Sequence, residues 1–355
     1  MKLSKMKCSS ARRMALLLFF ILILPVPEVC AQSGGFSGAF TRMGFGPRGM
    51  AMGNALTTVS REGIYAHYNP ALSSYIEEMQ FDLSSALMSF DRNLHAINTT
   101  FFLPPSAGLN IGLLNAHVKN IDGRTSSGYH TENLSTNEFQ LFAAFGIGLS
   151  PRVKLGASVK LHLSSLHKEI DHATGAGFDL GLIIQPISSW RIGIIAQDLI
   201  SDYSWNTTSI YGTQDGRTRR DPFPVRFRIG TSQYFASWNL LLSSEFEIQR
   251  QRSEYQHTQI IAGSTPPQSV QRTENITTSS QLFRIGVSWA AHERLTIRGG
   301  WEILDLEFVN ETYKLSTGFS VHLPYDAYSP SIDYAFVREP LGISSMHVLA
   351  LRIVL

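Results

Sequence analysis

The chain has 355 residues, of which 43% are hydrophobic and 16% are charged, and its formal net charge is +2. Charged residues make up about a quarter of an average soluble domain, so this composition is poor in charge. The nearly balanced charge offers no clustered positive surface and argues against a nucleic-acid partner.

Residues 1–31 have the pattern of a secretory signal peptide. Five basic residues precede the unbroken apolar run from Met14 to Leu24, and Val29-Cys30-Ala31 provides a cleavage site. The run is shorter than the roughly 20 apolar residues that a transmembrane helix needs. We expect cleavage after Ala31. Lipid attachment at Cys30 is the alternative, which the bulk of Val29 disfavours.

Cleavage would change both the cysteine content and the charge of the chain. It removes Cys8 and Cys30, the only two cysteines, so the mature chain would form neither a disulfide nor a thiolate metal site. It also removes five basic residues and one acidic residue, and so leaves 25 Lys and Arg against 27 Asp and Glu. The mature chain is therefore expected to carry a slight negative charge.

A glycine-rich loop follows, and Gly44-Phe45-Gly46-Pro47-Arg48-Gly49 matches the G-x-G-x-x-G pattern of dinucleotide-binding loops. That pattern binds a nucleotide only between a hydrophobic strand and a helix. Here no strand precedes the loop, and Pro47 lies within it. The sequence therefore predicts no nucleotide site and no cofactor.

Residues 32–78 are too rich in glycine for a membrane strand and too apolar for a free tail. We expect this segment to form a hatch or plug within a barrel or across its mouth. Ser60-Arg61-Glu62 is predicted to begin a short helix that ends after Asn69, before Pro70.

From Met79 to Leu355 the hydrophobic pattern has a period of two. In Val153–Ser164, for example, Val153, Leu155, Ala157, Val159, Leu161 and Leu163 share one face, and polar residues share the other. Such segments are as long as the roughly 9 to 11 residues of a tilted transmembrane strand. We count fourteen, which begin near Met79, Asn93, Ala107, Asn137, Arg152, Gly175, Ser189, Pro222, Ser237, Thr277, Glu293, Glu311, Ser331 and Ser345.

The connections between these segments alternate in length. Tight turns at 104–106, 150–151, 186–188 and 291–292 alternate with long polar stretches at 122–133, 201–221 and 252–275. Short turns at one end and long loops at the other are typical of bacterial outer-membrane barrels. The sequence predicts an all-β fold, a transmembrane antiparallel barrel of about 14 strands spanning 79–355, in the bacterial outer membrane and in contact with its lipid.

The predicted inward faces carry charges of both signs. Arg226, Arg228, Arg284, Arg294 and Arg298 would form a lumen network with Glu245 and Glu247. An acid–base pair of Glu245 and Glu247 is the alternative. His162, His167 and His172 are interpreted as loop residues rather than metal ligands, and no G-x-S-x-G or H-E-x-x-H motif occurs. We expect no enzyme and no metal site.

Residues 40–74 resemble the N-terminal signature of the PorV/PorQ outer-membrane proteins, relatives of the FadL fatty-acid transporters. The matching positions are Arg48, Met52-Gly53-Asn54-Ala55, Arg61-Glu62 and Asn69-Pro70-Ala71. Family members often carry two acidic residues where Arg61-Glu62 stands, and a glycine where Leu72 stands.

The resemblance implies either of two functions. FadL-like members imply a 14-stranded barrel with an N-terminal hatch that passes hydrophobic compounds. Arg48, Met52, Gly53, Asn69, Pro70 and Ala71 would then structure the hatch and gate a lipophilic ligand. A permanently closed plug that binds no ligand is the alternative. PorV-like members imply a partner of type IX secretion, which would dock exported proteins or secretion components on the loops Tyr203–Arg220 and Glu254–Asn275.

Overall fold

The computed structural model describes residues 36–168, 170–206, 208, 218–261, 268–304, 306, 313–323, 329–339 and 344–355. The expected signal peptide and its cleavage site lie outside these residues. Among the described residues, no helix is both long and apolar enough to cross a membrane.

The described residues form sixteen β-strands, all of them joined in one sheet. They are β1 (Gln80–Met88), β2 (Arg92–Leu103), β3 (Ala107–Arg124), β4 (His130–Ser150), β5 (Val153–Ser165), β6 (Ala173–Ile187), β7 (Trp190–Leu199), β8 (Asp202–Asn206), β9 (Thr218–Pro222), β10 (Val225–Phe235), β11 (Leu240–Ile261), β12 (Gln268–His292), β13 (Leu295–Ile303), β14 (Tyr313–His322), β15 (Ser331–Arg338) and β16 (Ser345–Val354).

Fourteen of these strands close into a ring. From β1 to β7, consecutive strands pair with each other, and β7 then pairs with β10. Consecutive strands pair again from β10 to β16, and β16 pairs with β1. Every pairing is antiparallel, and β8 and β9 form a separate hairpin that touches β6 at Thr174. The predicted all-β fold, a 14-stranded antiparallel barrel, is confirmed.

The two faces of each strand differ as the sequence pattern requires. In β5 the polar side chains of Ser158, Lys160 and His162 are buried, while Val159 and Leu161 are more than half exposed. Polar side chains therefore face the lumen, and apolar side chains cover the outside, which is the reverse of a soluble barrel. His162 belongs to this inward face and not to a loop as predicted.

Most strands begin within a few residues of the predicted positions, and the larger differences lie in the predicted loops. β4 begins seven residues before Asn137 and β12 nine residues before Thr277. β11 continues through Ile261, so the predicted loop Glu254–Asn275 consists largely of two paired strands. The loop prediction was wrong here because these polar residues extend the hydrogen-bonded pairing of β11 with β12. They lack the alternating apolar side chains by which membrane strands are recognised in a sequence.

The predicted loop Tyr203–Arg220 also contains regular structure. Its ends belong to β8 and β9, which pair from Asp202 with Pro222 to Asn206 with Thr218. Tyr203, Phe223 and Ala173 are buried together, with Trp205 against them. An aromatic cluster thus stabilises a hairpin too short to have a visible period of its own.

The N-terminal segment, which we define as residues 36–78, contains little regular structure. Gly46–Ala51 forms a short α-helix with Pro47 in its first turn, and Ala39–Arg42 and Pro70–Tyr75 form 3-10 helices. The helix predicted from Ser60 to Asn69 is absent from these described residues. Pro70 instead begins a helical turn, where its missing N–H costs no hydrogen bond.

Candidate functional site

The N-terminal segment lies in close contact with the inward faces of the barrel strands. Where it passes, the inward positions of the strands are glycines: Gly108, Gly146, Gly156, Gly181, Gly193, Gly230, Gly286, Gly300 and Gly318. A Cβ at most of these positions would overlap an atom of the segment. A Cβ on Gly286, for example, would lie 2.9 Å from Met52 Cβ. We call these residues the glycine belt. It lets two backbones approach more closely than side chains allow.

Met52-Gly53 lies against β13 and β14. Gly53 has φ +61°, a conformation that favours glycine, and a Cβ there would lie 2.9 Å from the backbone nitrogen of Trp301. Its N–H donates to the hydroxyl of Ser316 at 3.2 Å, and that hydroxyl donates to the carbonyl oxygen of Ala51 at 3.1 Å. The glycine is therefore needed for both its conformation and its size.

Asn69-Pro70-Ala71 fixes the last turn of the segment against β4, β5 and β6. Asn69 caps this turn, because its Oδ1 accepts from the N–H of Ala71 at 3.0 Å. Its Nδ2 donates to the carbonyl oxygen of Thr57, also at 3.0 Å. Asn69 is fully buried, so it organises the path of the segment.

Arg48 projects from the short helix toward β15. Its Nε lies 2.9 Å from Asp333 Oδ2, and its Nη2 donates to the hydroxyl of Ser331 at 2.8 Å. Its Nη1 donates to the carbonyl oxygen of Glu62 at 3.2 Å. One buried guanidinium thus joins two parts of the segment to the wall.

Glu62 is buried and lies beside Arg298 of β13. Arg298 Nε donates to Glu62 Oε2 at 2.7 Å, and the hydroxyl of Ser288 donates to Glu62 Oε1. Burial alone would raise the pKa of Glu62, but the cations of Arg298 and Arg48 and these hydrogen bonds hold it below its ordinary value. Glu62 is therefore ionised at neutral pH. Its neighbour Arg61 instead lies 3.9 Å above the ring of Tyr234.

Four of the predicted lumen residues, Arg228, Glu245, Glu247 and Arg284, form one buried ionic cluster. Arg284 Nη1 lies 3.0 Å from Glu245 Oε1 and 2.6 Å from Glu247 Oε2. Arg228 Nη1 contacts Glu245 Oε1 at 3.2 Å, and Arg284 Nε contacts Glu302 Oε1 at 2.7 Å. Each carboxylate is thus shared between cations, an arrangement that offers no free acid–base pair.

The segment also binds this cluster. The N–H of Thr57 donates to Glu245 Oε2 at 3.2 Å, and the Thr57 hydroxyl donates to the same oxygen. Asn54 Nδ2 donates to Glu302 Oε2 at 3.4 Å. The carboxylates therefore neutralise the arginines of the wall and at the same time accept hydrogen bonds from the segment.

Arg226 belongs to a second cluster that the sequence did not reveal. It contacts Asp198 Oδ2 through Nε at 2.9 Å, while Lys160 Nζ lies 2.8 Å from Asp198 Oδ1 and 2.7 Å from Asp179 Oδ2. Asp198 has φ +58° and lies where the register between β6 and β7 shifts. The shift turns its side chain toward the lumen, although strict alternation along β7 would place it on the outward face. That irregularity hid Asp198 from sequence reasoning.

Arg294 is not brought into either cluster. It lies exposed in the turn before β13, where its N–H donates to His292 Nδ1 at 3.1 Å. The alternation of polar and apolar residues continues through this turn, which is why the sequence placed Arg294 on an inward face. The strand β13 itself begins at Leu295.

Aromatic side chains hold the middle of the segment. Phe45 stacks on His67 at 5.1 Å between ring centroids and meets Phe142 of β4 edge-on at 5.6 Å. Burial holds the pKa of His67 well below its ordinary value, and the nearby cation of Lys160 lowers it further. His67 is therefore neutral, and it packs as an aromatic ring rather than adding a charge.

An apolar pocket opens at the loop end of the barrel, which we define as the end carrying the connections 89–91, 125–129 and 339–344. Its volume is about 560 Å3. The lining residues are Met43, Phe90, Arg92, Val118, Lys314, Val337, Glu339 and Met346. Met43 of the N-terminal segment meets residues of β3, β15 and β16 there. A pocket of this size, lined by five apolar and three charged residues, suits a small hydrophobic ligand.

Phe90 lies at this pocket in a strained turn. Phe90 has φ +64° and Asp91 has φ +53°, so two residues of the three-residue connection 89–91 adopt the left-handed conformation. Asn and Gly adopt this conformation readily, whereas a phenylalanine does so at a cost. Its side chain is 71% exposed. Neither burial nor the turn therefore accounts for an aromatic residue at this position.

The charged rim of the pocket is formed by Arg92 and Glu339, which lie 2.8 Å apart and only partly buried. Lys314 contacts Glu302 at 3.2 Å and so links the pocket to the ionic cluster below it. Among the described residues, no group of three or more His, Cys, Asp and Glu side chains could hold a metal ion.

Solved structures with a similar fold include two hydrocarbon transporters and a FadL homologue. TodX of Pseudomonas putida, described as a toluene transporter, matches with a TM-score of 0.57 and 14% identity, covering 88% of this chain and 96% of TodX. CymD, a monoaromatic hydrocarbon channel, gives 0.59 and 12%, over 90% of this chain and 98% of CymD. A FadL homologue of Pseudomonas aeruginosa gives 0.59 and 10%, over 87% and 97%. The chain therefore shares the fold of these barrels along nearly their whole length.

No protein-family model and no curated protein sequence matches the chain.

Proposed function

We propose that the chain is a non-enzymatic outer-membrane barrel that binds hydrophobic compounds in the loop-end pocket and passes them inward. The observation that carries this proposal is the apolar pocket at the mouth of a lumen whose other inward side chains are largely polar. The described functions of TodX and CymD, which concern small hydrocarbons, support the same class of ligand.

The N-terminal segment serves as the hatch in this proposal. It corresponds to the part of the chain that follows a signal peptide, residues 1–31, and precedes the barrel from residue 79 onward. Because Met43 lines the pocket and the rest of the segment contacts the wall below, a ligand moves inward only if part of the segment shifts. Arg48, Gly53 and Asn69 then determine how far it shifts, while Met52, Pro70 and Ala71 fit it to the glycine belt.

Ligand binding can be tested with Met43→Gln and Phe90→Ser in nanodiscs, with radiolabelled toluene as the probe. Each change removes apolar surface worth about 1.5 kcal/mol, so we expect retention to fall about tenfold. Ile200→Ser is the matched control, because Ile200 is 93% exposed and does not line the pocket. Equal retention by all three variants and the original chain would exclude this pocket as the binding site.

A second candidate function is docking of exported proteins or secretion components, as in type IX secretion. The observation in its favour is the length of β11 and β12, of 22 and 25 residues, where about 9 to 11 suffice to cross a membrane. Their paired ends extend beyond β10 and β13 at the loop end. Such an arm offers unpaired strand edges to a partner.

The two functions predict different copurifying molecules. Detergent extracts of the outer membrane would yield secretion proteins or cargo with the chain if docking is its role. Removal of 254–275 would abolish that association, whereas removal of the turn 125–129 would not. Recovery of the chain with lipophilic compounds and without proteins favours transport.

A further inference from the structure

We propose that a groove on the outward face of β3 and β4 binds the phosphorylated, hydroxyl-rich headgroup of a membrane lipid. The groove has a volume of about 470 Å3 and lies near the loop end. Its polar lining includes Asn115, His117, Lys119, Asn133, Ser135 and Asn137. This inference rests on the proposed membrane placement of the barrel, but on neither the loop-end pocket nor the hatch.

The strand period places these side chains outside the barrel. Leu114 on β3 is fully buried and faces the lumen, so Asn115 and His117 face outward. On β4, Gln140 is fully buried, so Asn137 and Ser135 also face outward. His117 and Asn137 are direct partners in the ladder, which places both rows of polar side chains side by side.

A bulge in β3 gives the groove its shape. The register between β3 and β4 shifts between Val118 and Ile121, and Asn120 has φ +55°. Bulges of this kind bend a strand and redirect its side chains. Here the bulge separates the two strands around Lys119 and leaves its ammonium exposed beside them.

The groove presents hydrogen-bond donors and one cation. Lys119 is exposed and forms no ion pair within the described part of the chain, and the neighbouring Asp91 carboxylate accepts from Asn120 Nδ2 at 3.0 Å. The imidazole of His117 stacks on that of His95 at 5.3 Å between ring centroids. Asn115 Nδ2 already donates to Asn137 Oδ1 at 2.7 Å and to the carbonyl oxygen of Glu138 at 3.1 Å. The donors left for a ligand are the amides of Asn133 and Asn137, the Ser135 hydroxyl and the Lys119 ammonium. With no carboxylate among the lining residues, this set suits a phosphate with neighbouring hydroxyl groups.

The surroundings of the groove indicate a lipid rather than a soluble anion. Toward the other end of the barrel, the outward side chains become apolar at once, with Ile97 and Leu141 well exposed on β2 and β4. A headgroup in the groove would therefore place its acyl chains on this apolar surface.

The continuous run of polar side chains on the outward face ends at β2. The row of ladder partners through His117 and Asn93 continues to Leu87, His347 and Phe336. His347 therefore stands between two apolar residues, whereas Asn137, His117 and Asn93 are adjacent in the ladder. This continuity distinguishes the groove from the rest of the row.

The test uses the purified full chain and vesicles of phosphatidylcholine containing a minority of lipid A, which carries phosphates on a sugar. After detergent extraction, native mass spectrometry counts the lipid A molecules retained. We expect Lys119→Ser to lower retention about tenfold, the effect of losing one charge-assisted hydrogen bond. Inorganic phosphate in solution should not displace the lipid.

Arg338→Ser is the matched control, because Arg338 is also an exposed outward cation, two residues beyond Phe336 on β15. It should retain lipid A as the original chain does. Equal retention by Lys119→Ser, equal loss in Arg338→Ser, or displacement by inorganic phosphate would each overturn the proposal. Flotation of the chain with vesicles tests the membrane placement separately. A chain that floats with the vesicles but retains no lipid A would overturn the groove proposal and leave the membrane placement intact.

Discussion

Glu62 connects the N-terminal segment to the barrel wall through both its side chain and its carbonyl group. The carboxylate binds Arg298, and the carbonyl oxygen accepts from Arg48 and from Arg352 at 3.2 Å each. Removing one partner of a buried ion pair leaves the other charge without compensation, which is more costly than the pair is favourable. Glu62 is therefore the residue at which the attachment of the segment is most sensitive to a single change.

Glu62→Gln should destabilise the folded chain by about 3 kcal/mol at neutral pH, because Arg298 is then buried without its counterion. Urea unfolding in detergent, followed by tryptophan fluorescence, measures this loss. Arg294→Gln is the control, since that arginine is exposed in a turn and should change the free energy of unfolding by less than about 0.5 kcal/mol.

The contribution of Glu62 to the free energy of unfolding should decrease in acid. The pKa of Glu62 in the folded chain is lowered, so its stabilising contribution is present at neutral pH and is lost as the pH falls through that lowered value. The difference between the original chain and Glu62→Gln should therefore shrink in acid. A difference that grows as the pH falls would contradict the assignment of Glu62 as the ionised partner of Arg298.

The sequence indicated which residues face the lumen, but not which of them meet. Arg228, Arg284, Glu245 and Glu247 were placed together by the period of two, whereas the bond between Arg298 and Glu62 joins residues 236 positions apart. Such a contact depends on where the segment passes each strand. That path follows from packing inside a closed barrel, and a local pattern does not contain it.

At the scale of elements, the strands and the segment fit each other through glycine. Gly53 of the segment provides a close approach at β13. The glycine belt lies on the strands themselves. An inward glycine on successive strands was visible in the sequence, but it indicates a buried partner only once the strands are known to be neighbours.

Gly300→Ala should loosen the segment, because its Cβ would overlap the backbone of Met52 and Gly53. Gly299→Ala is the matched control on the neighbouring residue, since a Cβ there has no atom within 4 Å. Trypsin cleavage after Arg61 measures the difference. Faster cleavage is expected in Gly300→Ala alone, and equal rates in the two variants would contradict close packing at β13.

At the scale of the whole molecule, the barrel was predictable because its pattern repeats in every strand. The alternation in β5, the even number of strands and the alternating connection lengths are what a closed barrel with a polar lumen and an apolar exterior requires. The extensions of β11 and β12 and the hairpin of β8 and β9 were not predictable. They lie beyond the apolar surface, where a strand needs no apolar face.

Transport through this barrel requires the hatch to move, and a reversible cross-link tests that requirement most directly. A Cβ at Gly230 would lie 3.1 Å from Thr57 Cβ, slightly less than the roughly 3.5 to 4.5 Å of a disulfide, so a small shift lets Thr57→Cys with Gly230→Cys fix the segment to β10. The chain's own cysteines, Cys8 and Cys30, both lie within the expected signal peptide.

The measurement is uptake of radiolabelled toluene into liposomes that contain this double variant, with empty liposomes subtracted. We predict uptake when the disulfide is reduced and its loss when the disulfide forms, in the same preparation. Uptake that is equal in the two states, or that is absent from both, would contradict a hatch that opens to pass hydrophobic compounds.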